Sequence, residues 1–301
     1  MSVEPIKSIY YRLRNIHLFG AHIRTLHHAF KHKTATPKRQ VSNNQDTLLS
    51  QSTPRDMEPC LAKPEVQLDD KTNNVAVDAE LVEAIMSRRI LQSLITMEAW
   101  EGYTFAEQKI KIKESHDIYG AVMWPSAVVM GYFLDTHRDT DNLLDKNIIE
   151  LGAGTGLVSI VASLLGAKVT STDLPEVLPN LRYNILRNTK GHCRHTPLVT
   201  ELSWGKELEQ HFPQATCRYD YVFAADVVYC HPYLEELLDT FDHLCQEGTQ
   251  ILWAMRFRLD RENQFVQWFQ SRFHIVELYD LPSLSIKLYR AVRKTQSGQV
   301  A

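Results

Sequence analysis

The sequence predicts an α/β fold with a seven-stranded, mostly parallel sheet, an antiparallel hairpin at its C-terminal end, and helices on both faces. Two observations support this prediction. From Asn147 onward, short apolar runs alternate with helical patterns, which is typical of a parallel sheet covered by helices. The last two apolar runs have no helix between them, so we expect them to pair antiparallel.

The predicted elements follow from the apolar period of each run. Seven runs are predicted as strands, at residues 147–151, 168–172, 197–202, 219–225, 250–255, 274–278 and 285–292. Four intervening runs are predicted as helices, at residues 157–165, 177–188, 232–244 and 262–272.

Three further elements are predicted upstream of the sheet. Order begins near Asp78, where DAELVEAIMSRRILQSLI, residues 78–95, has helical periodicity. GYTF and KIKIKE, separated by AEQ, indicate a hairpin. A helix over residues 125–137 follows, with Pro125 in its first turn, where a missing amide donor costs little.

The first 77 residues are predicted as a basic arm and a disordered linker, which leaves residues 78–301 as the folded domain. Residues 1–40 have eight Lys or Arg and one acid, giving +7; since the whole chain is −3, the remainder is −10. The apolar spacing of residues 1–33 fits an amphipathic helix that acts as a mitochondrial transit peptide, a membrane-surface anchor or a partner-binding segment. A weakly ordered extension fits equally. Residues 34–75 are polar and proline-rich.

Composition narrows the class of protein. The acidic body argues against a broad nucleic-acid-binding face and fits a basic protein partner. The five cysteines are odd in number and form no CxxC pair, which favours a reduced, metal-free intracellular protein. No apolar stretch approaches the roughly 18 residues of a membrane span. We therefore expect a soluble monomer.

A glycine-rich loop follows the first strand of the sheet. In ELGAGTG, Gly152, Gly154 and Gly156 stand at alternate positions directly before a helix, and glycine allows the backbone to approach a ligand closely. A dinucleotide site has the spacing G-x-G-x-x-G, so the third glycine comes one residue early here. The shorter loop, preceded by Glu150, favours a cationic or zwitterionic ligand over a diphosphate.

An acid stands where a nucleoside site needs one. Asp173 follows the next strand, 21 residues beyond Gly152, and a carboxylate at that strand end can accept hydrogen bonds from both ribose hydroxyls. The glycines and this acid together predict a nucleoside-binding site.

The run FAADVVY brings a carboxylate and a phenol to the end of a buried strand. Asp226 follows the apolar run directly, and Tyr229 comes three residues later. A charge at this position costs free energy unless it is used. Asp226 therefore either caps the next helix or meets a ligand at the sheet's switch point.

Four segments resemble one family of enzymes: GAVMWPSA, IIELGAGTGLVSIVASLLGAKVTSTDLPEVL, ELSWG and AADVVY. They are similar to the methyltransferase-like 21 group, family 16, of class I S-adenosylmethionine-dependent protein-lysine methyltransferases. The resemblance covers about residues 98–294. It implies a Rossmann-like class I methyltransferase sheet, S-adenosylmethionine as cofactor, and N-methylation of a lysine on a folded protein substrate.

The resemblance also implies roles for individual residues. Asp226 and Tyr229 mark the lysine channel and are the predicted catalytic pair. Trp204 packs against adenine, Asp173 binds the ribose, and Ala225 lies beside the methyl donor. The complete predicted cofactor set is Trp124, Glu150, Gly152, Ala153, Gly154, Gly156, Asp173, Trp204 and Ala225.

Several alternatives stay open at this point. An adenine-N6 methyltransferase shares the fold, although Val227 and Val228 replace the two prolines expected there. A small-molecule methyltransferase and a non-catalytic interaction protein are the other candidates. Arg256 and Arg258 either dock an acidic substrate surface or form a solvated face. The resembled group implies a 70-kilodalton heat-shock chaperone or an AAA-type ATPase as substrate. By default we expect a cytoplasmic location, with nuclear access or mitochondrial import as alternatives.

Overall fold

The computed structural model describes residues 72–90, 100–115, 118–258 and 260–294. All of them belong to one unit, residues 60–301. The basic helix predicted over residues 1–33 lies outside the described residues, and so does the predicted linker up to residue 71. The first described helix, α1, is Thr72–Met86, so the ordered chain begins before Asp78, where the sequence predicts it.

A small antiparallel sheet follows α1 and corrects one prediction. Its strands are β1 (Arg89–Ile90), β2 (Trp100–Phe105) and β3 (Gln108–Lys113), in the order β1-β2-β3. The helix predicted over residues 78–95 is wrong beyond Met86, because the chain turns there and Arg89 pairs with Tyr103 of β2. Pairing with a neighbouring strand thus overrides the local helical period.

The predicted hairpin is confirmed as the pair β2 and β3. Its turn contains only Ala106 and Glu107, both with positive φ, at 49° and 60°, and Gln108 already belongs to β3. Two-residue turns of this kind match the right-handed twist of paired strands. The side chain of Asp135 fixes the turn, since its Oδ1 accepts a hydrogen bond from the Ala106 amide at 3.0 Å.

The second sheet has the seven strands and the mixed topology that the sequence predicts. Its strand order is β6-β5-β4-β7-β8-β10-β9, parallel from β6 to β8, with β10 antiparallel to both of its neighbours. The strands are β4 (Asn147–Leu151), β5 (Lys168–Asp173), β6 (Leu198–Glu201), β7 (Tyr221–Ala225), β8 (Gln250–Arg256), β9 (Phe273–Leu281) and β10 (Ile286–Arg293).

Helices connect these strands at the predicted places, with bounds shifted by one or two residues. Two single-turn helices in the described residues were not predicted: a 3-10 turn at Tyr119–Ala121 and α5. The helices are α2 (Pro125–Thr136), α3 (Leu157–Leu164), α4 (Leu178–Thr189), α5 (Leu208–His211), α6 (Leu234–Leu244) and α7 (Asp260–Arg272).

Alternating side chains of the central strands divide the core into two layers. Ile148, Phe223 and Leu252 are buried in the layer that contains residues of α2, α3 and α4. Their neighbours Ile149, Val222 and Ile251 are buried in the layer formed with α6 and α7. Successive strand residues point to opposite faces, so near-continuous apolar strands fill both layers and helices cover both faces.

The chain order creates a crevice at one end of this sheet. After β4 the chain adds β5 and β6 on one side, and it then returns to add β7 on the other. The loops that leave β4 and β7 therefore diverge at the carboxyl ends of adjacent strands, which is where open α/β sheets bind ligands.

Candidate active site

A pocket of about 350 Å³ lies at the carboxyl ends of the central strands. Most of the residues that the sequence predicts as functional line it. They come from five separate parts of the chain, which the switch in strand order brings together: Trp124, Gly152, Gly154, Asp173, Trp204, Ala225, Asp226 and Tyr229.

Glu150 is not among the lining residues, and this prediction is corrected. The Glu150 side chain is buried on the α3 side, where it accepts a hydrogen bond from the Ser159 hydroxyl. Burial raises the pKa of Glu150 to about 8, so this side chain is a neutral acid at pH 7. It therefore does not meet a cationic ligand in the pocket.

Ala153 and Gly156 also lie outside the pocket lining and support the loop from behind. The Ala153 amide donates to the Thr172 carbonyl of β5 at 2.9 Å. Gly156 begins α3 with φ of 87°, and a Cβ there would lie 2.7 Å from Leu181 Cδ1. Both residues fix the path of the loop rather than contact a ligand.

Gly154 is the position in the loop that tolerates no side chain. Its φ is 57°, and a Cβ built on it would lie 2.8 Å from the carbonyl oxygen of Gly120. A contact under 3.0 Å with backbone cannot be relieved by a rotamer change. The loop thus packs its backbone directly against residue 120.

Asp173 faces the pocket with its carboxylate held by two backbone amides. The Gly154 amide donates to Oδ2 and the Leu174 amide to Oδ1, each at 2.7 Å. Burial nevertheless raises the pKa of Asp173 to about 6, so the group is ionised at pH 7. Each carboxylate oxygen has a second acceptor site, which matches two neighbouring hydroxyl groups.

The Asp226 carboxylate is buried and is held by two backbone amides, which its position in the sequence does not indicate. Its side chain is only 1% exposed, and its oxygens accept hydrogen bonds from the Ser126 amide at 3.1 Å and the Arg256 amide at 3.0 Å. The carboxylate therefore caps a helix, as one alternative held, but that helix is α2 and not the one that follows Asp226. An anion is favourable at a helix N-terminus.

Arg258 stands beside Asp226 in the pocket wall. Its Nη2 lies 3.5 Å from Asp226 Oδ1, and its guanidinium lies over the ring of Trp124, 5.6 Å from the centroid. The alternative of a solvated face does not describe Arg258, whose side chain is 23% exposed. The cationic group instead belongs to the same corner of the pocket as Asp226.

Aromatic rings form another part of the wall, organised around His231. The His231 ring lies 4.5 Å from that of Tyr229 and 5.1 Å from that of Trp204. Its Nδ1 accepts a hydrogen bond from the Tyr233 amide, so its Nε2 carries the proton that is donated to the Val227 carbonyl, both at 3.0 Å. A neutral imidazole therefore holds the loop that carries Tyr229.

Several lining residues were not predicted from the sequence. Most follow strand ends or precede α2, and no fixed spacing marks them. The run HPY, immediately before α6, could have indicated His231, since a buried histidine often forms hydrogen bonds with nearby backbone groups. The missed residues are Ile118, Gly120, Leu174, Glu176, Val177, Leu202, Ser203, Lys206, Val227, His231 and Tyr233.

The described ranges also bear on two other classes of site. Within them, no group of three or more His, Cys, Asp or Glu is placed to hold a metal ion. None of the described helices is long and apolar enough to cross a bilayer. Of the described cysteines, Cys193, Cys217 and Cys245 have free thiols.

Comparison with known proteins identifies the kind of enzyme that has this pocket. A family model described as lysine methyltransferase matches residues 104–272, which include β3 to α7 and nearly the whole pocket wall. The chain belongs to this lysine methyltransferase family. The resemblance that the sequence motifs indicated is thereby confirmed.

Two protein-lysine methyltransferases of Mus musculus are similar to this chain. The protein-lysine methyltransferase METTL21E of Mus musculus is 58% identical over 73% of this chain and 90% of its own length. The protein N-lysine methyltransferase METTL21A of Mus musculus is 35% identical over 64% of this chain and 88% of its own. A solved 16S rRNA N2 G1207 methyltransferase of T. Thermophilus, in complex with AdoMet and guanosine, is 12% identical over 67% of this chain and 52% of its own, with a TM-score of 0.48.

This chain is therefore a protein-lysine N-methyltransferase that depends on S-adenosylmethionine. The residues of the pocket fit this cofactor. The glycine loop leaves room for close approach at Gly154, and the ionised Asp173 provides paired acceptors. Trp204 lies over the loop, since a Cβ on Gly152 would be 3.5 Å from Trp204 Cζ2.

Proposed function

We propose that this enzyme methylates a lysine on the surface of a folded ATPase, such as a 70-kilodalton heat-shock chaperone or an AAA-type ATPase. The observation that supports a lysine acceptor most directly is the composition of the pocket wall next to Ala225. Trp124, Tyr229 and Tyr233 line it together with Asp226, and aromatic walls suit the alkyl chain and amine of lysine.

The proposed division of roles follows the two sides of the pocket. Gly152 and Gly154 hold the cofactor through backbone, Asp173 binds its ribose hydroxyls, and Trp204 packs against its adenine. Ala225 offers little bulk at the end of β7, so it leaves space beside the methyl donor. When bound, S-adenosylmethionine would supply an electrophilic methyl group: the lone pair of the amine would form the bond to carbon, and sulfur would keep the electron pair of the bond that breaks.

The chain must present the acceptor lysine in its neutral form. A lysine with the ordinary pKa of about 10.4 is neutral in about one molecule in 2,500 at pH 7, a cost of about 4.6 kcal/mol. Removal of water from the amine lowers this cost, because desolvation disfavours the ammonium form. Tyr229 walls the channel and offers a hydrogen bond to the amine, while the proton leaves to water. Positioning in line with the methyl group supplies most of the remaining acceleration.

Asp226 has a different role from the one that the sequence suggests. A freely accessible carboxylate would guide the ammonium into the channel. Its oxygens are instead engaged by the amides of Ser126 and Arg256, so we propose that Asp226 positions the start of α2, and with it Trp124, at the mouth of the pocket.

Tritium transfer into a cell lysate tests the proposed function. Purified enzyme and labelled S-adenosylmethionine are added to a lysate from cells that lack the enzyme, and the labelled protein is identified by mass spectrometry. We expect one dominant band, with the label on a lysine of a chaperone or an AAA-type ATPase. Label on RNA, on a small molecule, or on no molecule would contradict the proposal.

A second candidate substrate comes from a relative's name. EEF1A lysine methyltransferase 3 of Xenopus tropicalis is 36% identical over 56% of this chain and 72% of its own length. A translation elongation factor is therefore the alternative protein substrate, and the same labelled band decides between the two.

We also propose that the enzyme acts in the cytoplasm, with access to the nucleus, where such substrates are found. Fluorescence imaging of the tagged full-length chain tests this location. If residues 1–33 alone carry a fluorescent reporter into mitochondria, the cytoplasmic location is wrong.

A further inference from the structure

We propose that Arg258 offsets the charge of Asp226 at the acceptor end of the pocket and thereby favours the neutral, reactive form of the substrate lysine. The inference rests on the proposed function, since it requires that a lysine amine arrives beside Asp226 and Tyr229. It assigns to Arg258 an electrostatic role in methyl transfer in place of a role in docking.

The charges around Asp226 are the first observation. Arg258 Nη2 lies 3.5 Å from Asp226 Oδ1, and Arg256 follows at the end of β8. The pKa of Arg256 is lowered by burial and then by Arg258, while Asp226 opposes the shift. Guanidinium groups stay protonated in proteins. The Arg258 cation therefore offsets the charge of the Asp226 carboxylate.

The state of Asp226 is the second observation. A carboxylate with an unopposed charge would stabilise the ammonium form of lysine and raise the pKa of its amine, which would oppose methylation. Asp226 is buried and already bonded to the amides of Ser126 and Arg256. With Arg258 beside it, Asp226 presents no free negative charge to an incoming amine.

The fixed position of Arg258 is the third observation. Its guanidinium lies over the Trp124 ring at 5.6 Å, and stacking of this kind holds the flat cationic group in place. Both residues line the same pocket. The positive charge is thus held at the wall and does not move away into solvent.

The remaining ionisable groups of the pocket do not reverse this charge. Asp173, Glu176 and Lys206 line the side formed at the ends of β5 and β6, about two strand spacings, or roughly 10 Å, from β7. On the β7 side, the His231 ring is neutral because Nδ1 accepts and Nε2 donates a hydrogen bond. Tyr229 and Tyr233 are phenols, which are uncharged at pH 7.

Arg258→Met is the variant that tests this inference, because it removes the charge and keeps an unbranched side chain. At pH 7 we expect its kcat for tritium transfer into the labelled lysate protein to fall about 10- to 100-fold. Its KM for that protein is expected to stay equal or fall, since the ammonium form now meets less repulsion. Above pH 9 its rate is expected to approach that of the wild type.

Two companion variants separate charge from structure. Arg258→Lys keeps the positive charge without the planar group, and we expect it to retain the wild-type dependence of kcat on pH. Arg290 provides a matched control, since it pairs with Asp141 at 2.6 Å and lies over Phe133 at 6.0 Å, outside the pocket lining. Arg290→Met loses a similar pair of contacts and is expected to leave the pH profile unchanged.

Binding without cofactor gives a readout that is independent of turnover. Calorimetry compares the substrate protein identified by the lysate experiment with its Lys→Met variant at the methylated position. Cofactor-free wild-type enzyme is expected to bind the Met variant at least as tightly as the lysine form at pH 7. Arg258→Met is expected to reverse this preference in favour of lysine.

The possible failures are distinct. If the wild-type enzyme labels no protein lysine at any pH, the proposed function fails and the inference falls with it. If the wild-type enzyme labels a lysine but Arg258→Met shows the same pH profile and the same binding preference, only the inference is overturned. A loss of rate that is equal at all pH values would also overturn it, because it would indicate a purely structural role.

Discussion

Asp226 has an unusual backbone conformation, which its carboxylate contacts help to explain. Its φ is 55°, a left-handed conformation that Asp tolerates better than most residues. In Asp226→Ala, two buried amides, those of Ser126 and Arg256, lose their acceptor, so we expect the free energy of unfolding to fall by about 3 kcal/mol. Chemical denaturation measures this change.

The control for Asp226 is another aspartate in a similar conformation. Asp145 has φ of 60°, but its carboxylate is at the surface, 45% exposed. Asp145→Ala has a similar backbone strain without orphaned buried amides, so it is expected to lose much less stability. Equal losses in the two variants would show that backbone strain, and not the carboxylate, determines the effect at Asp226.

His231 is expected to hold the Tyr229 loop through both of its ring nitrogens. His231→Phe keeps the aromatic packing and removes both hydrogen bonds, so we expect kcat/KM to fall about 30-fold, the effect of two hydrogen bonds of about 1 kcal/mol each. His231→Asn restores an acceptor for the Tyr233 amide, and His231→Gln restores a donor for the Val227 carbonyl. Steady-state kinetics should show partial recovery in each.

A histidine outside the pocket tests whether this effect is specific. His243 lies on α6, and its Nε2 is 2.8 Å from the Phe212 carbonyl oxygen. His243 does not line the pocket. His243→Phe should leave kcat/KM unchanged. A comparable loss in this variant, or no recovery in the Asn and Gln variants, would contradict the role of His231.

Residue types at strand ends could be predicted from the sequence, whereas their partners could not. Trp124, Asp173, Asp226 and Tyr229 reach one pocket because each stands at a recognisable strand or helix end. The prediction that Glu150 contacts the cofactor is wrong, although the sequence contained evidence against it. Glu150 is two residues after Ile148 on β4, so the two side chains lie on the same face of the strand. Because Ile148 packs in the layer that contains α3, the Glu150 side chain is expected there and not in the pocket.

At the scale of elements, α4 closes the edge of β3 with asparagine side chains. Asn184 accepts from the Lys113 amide at 2.8 Å and donates to the Lys113 carbonyl at 2.9 Å. Asn188, one turn later, makes the same pair with Lys111 at 2.9 Å. Side-chain amides on a helix thus take the place of a neighbouring strand, which protects an exposed edge.

Asn184 also connects this edge to the glycine loop, which predicts different effects for the two asparagines. Its Nδ2 donates to the Thr155 carbonyl at 3.1 Å, and the residue is fully buried. We expect Asn184→Ala to lower the free energy of unfolding by about 3 kcal/mol and to weaken binding of S-adenosylmethionine, since buried groups lose their partners. Asn188→Ala, at the half-buried position, should cost about 1 kcal/mol and leave the affinity unchanged. Denaturation and calorimetry measure the two effects, and equal affinity in both variants would refute the connection.

The elements of the main sheet were predictable because each combines a clear period with a turn signal. The small sheet was less predictable for a physical reason. The apolar residues after Met86 continue a helical period, but Arg89 pairs with Tyr103, a partner that lies beyond the local window of the sequence. Short strands of this kind depend on long-range pairing, and α5, a single turn, has too few residues to show a period.

At the scale of the whole molecule, cofactor affinity is expected to depend on pH through Asp173. Burial raises the pKa of Asp173 to about 6, and ribose hydroxyls bind to its ionised form. The affinity for S-adenosylmethionine should therefore reach its full value above pH 6. As the pH drops through 6 this affinity should fall, by at most about tenfold per pH unit. Glu150, with a pKa of about 8, stays protonated throughout this range and does not contribute.

Asp173→Asn separates this effect from acid unfolding. The variant should bind S-adenosylmethionine more weakly at pH 7, and its affinity should no longer depend on pH between 5 and 7. Calorimetry at several pH values measures both quantities. A variant that retains the wild-type pH dependence would show that another group titrates.

The central claim is that the ends of β4, β5 and β7 form a pocket for S-adenosylmethionine and not for a dinucleotide. Titration calorimetry of the purified chain with each ligand tests it most directly. We predict one molecule of S-adenosylmethionine bound per chain, strongly weakened by Gly154→Ala, and no heat from an oxidised nicotinamide dinucleotide. Heat from the dinucleotide, with none from S-adenosylmethionine, would contradict the claim.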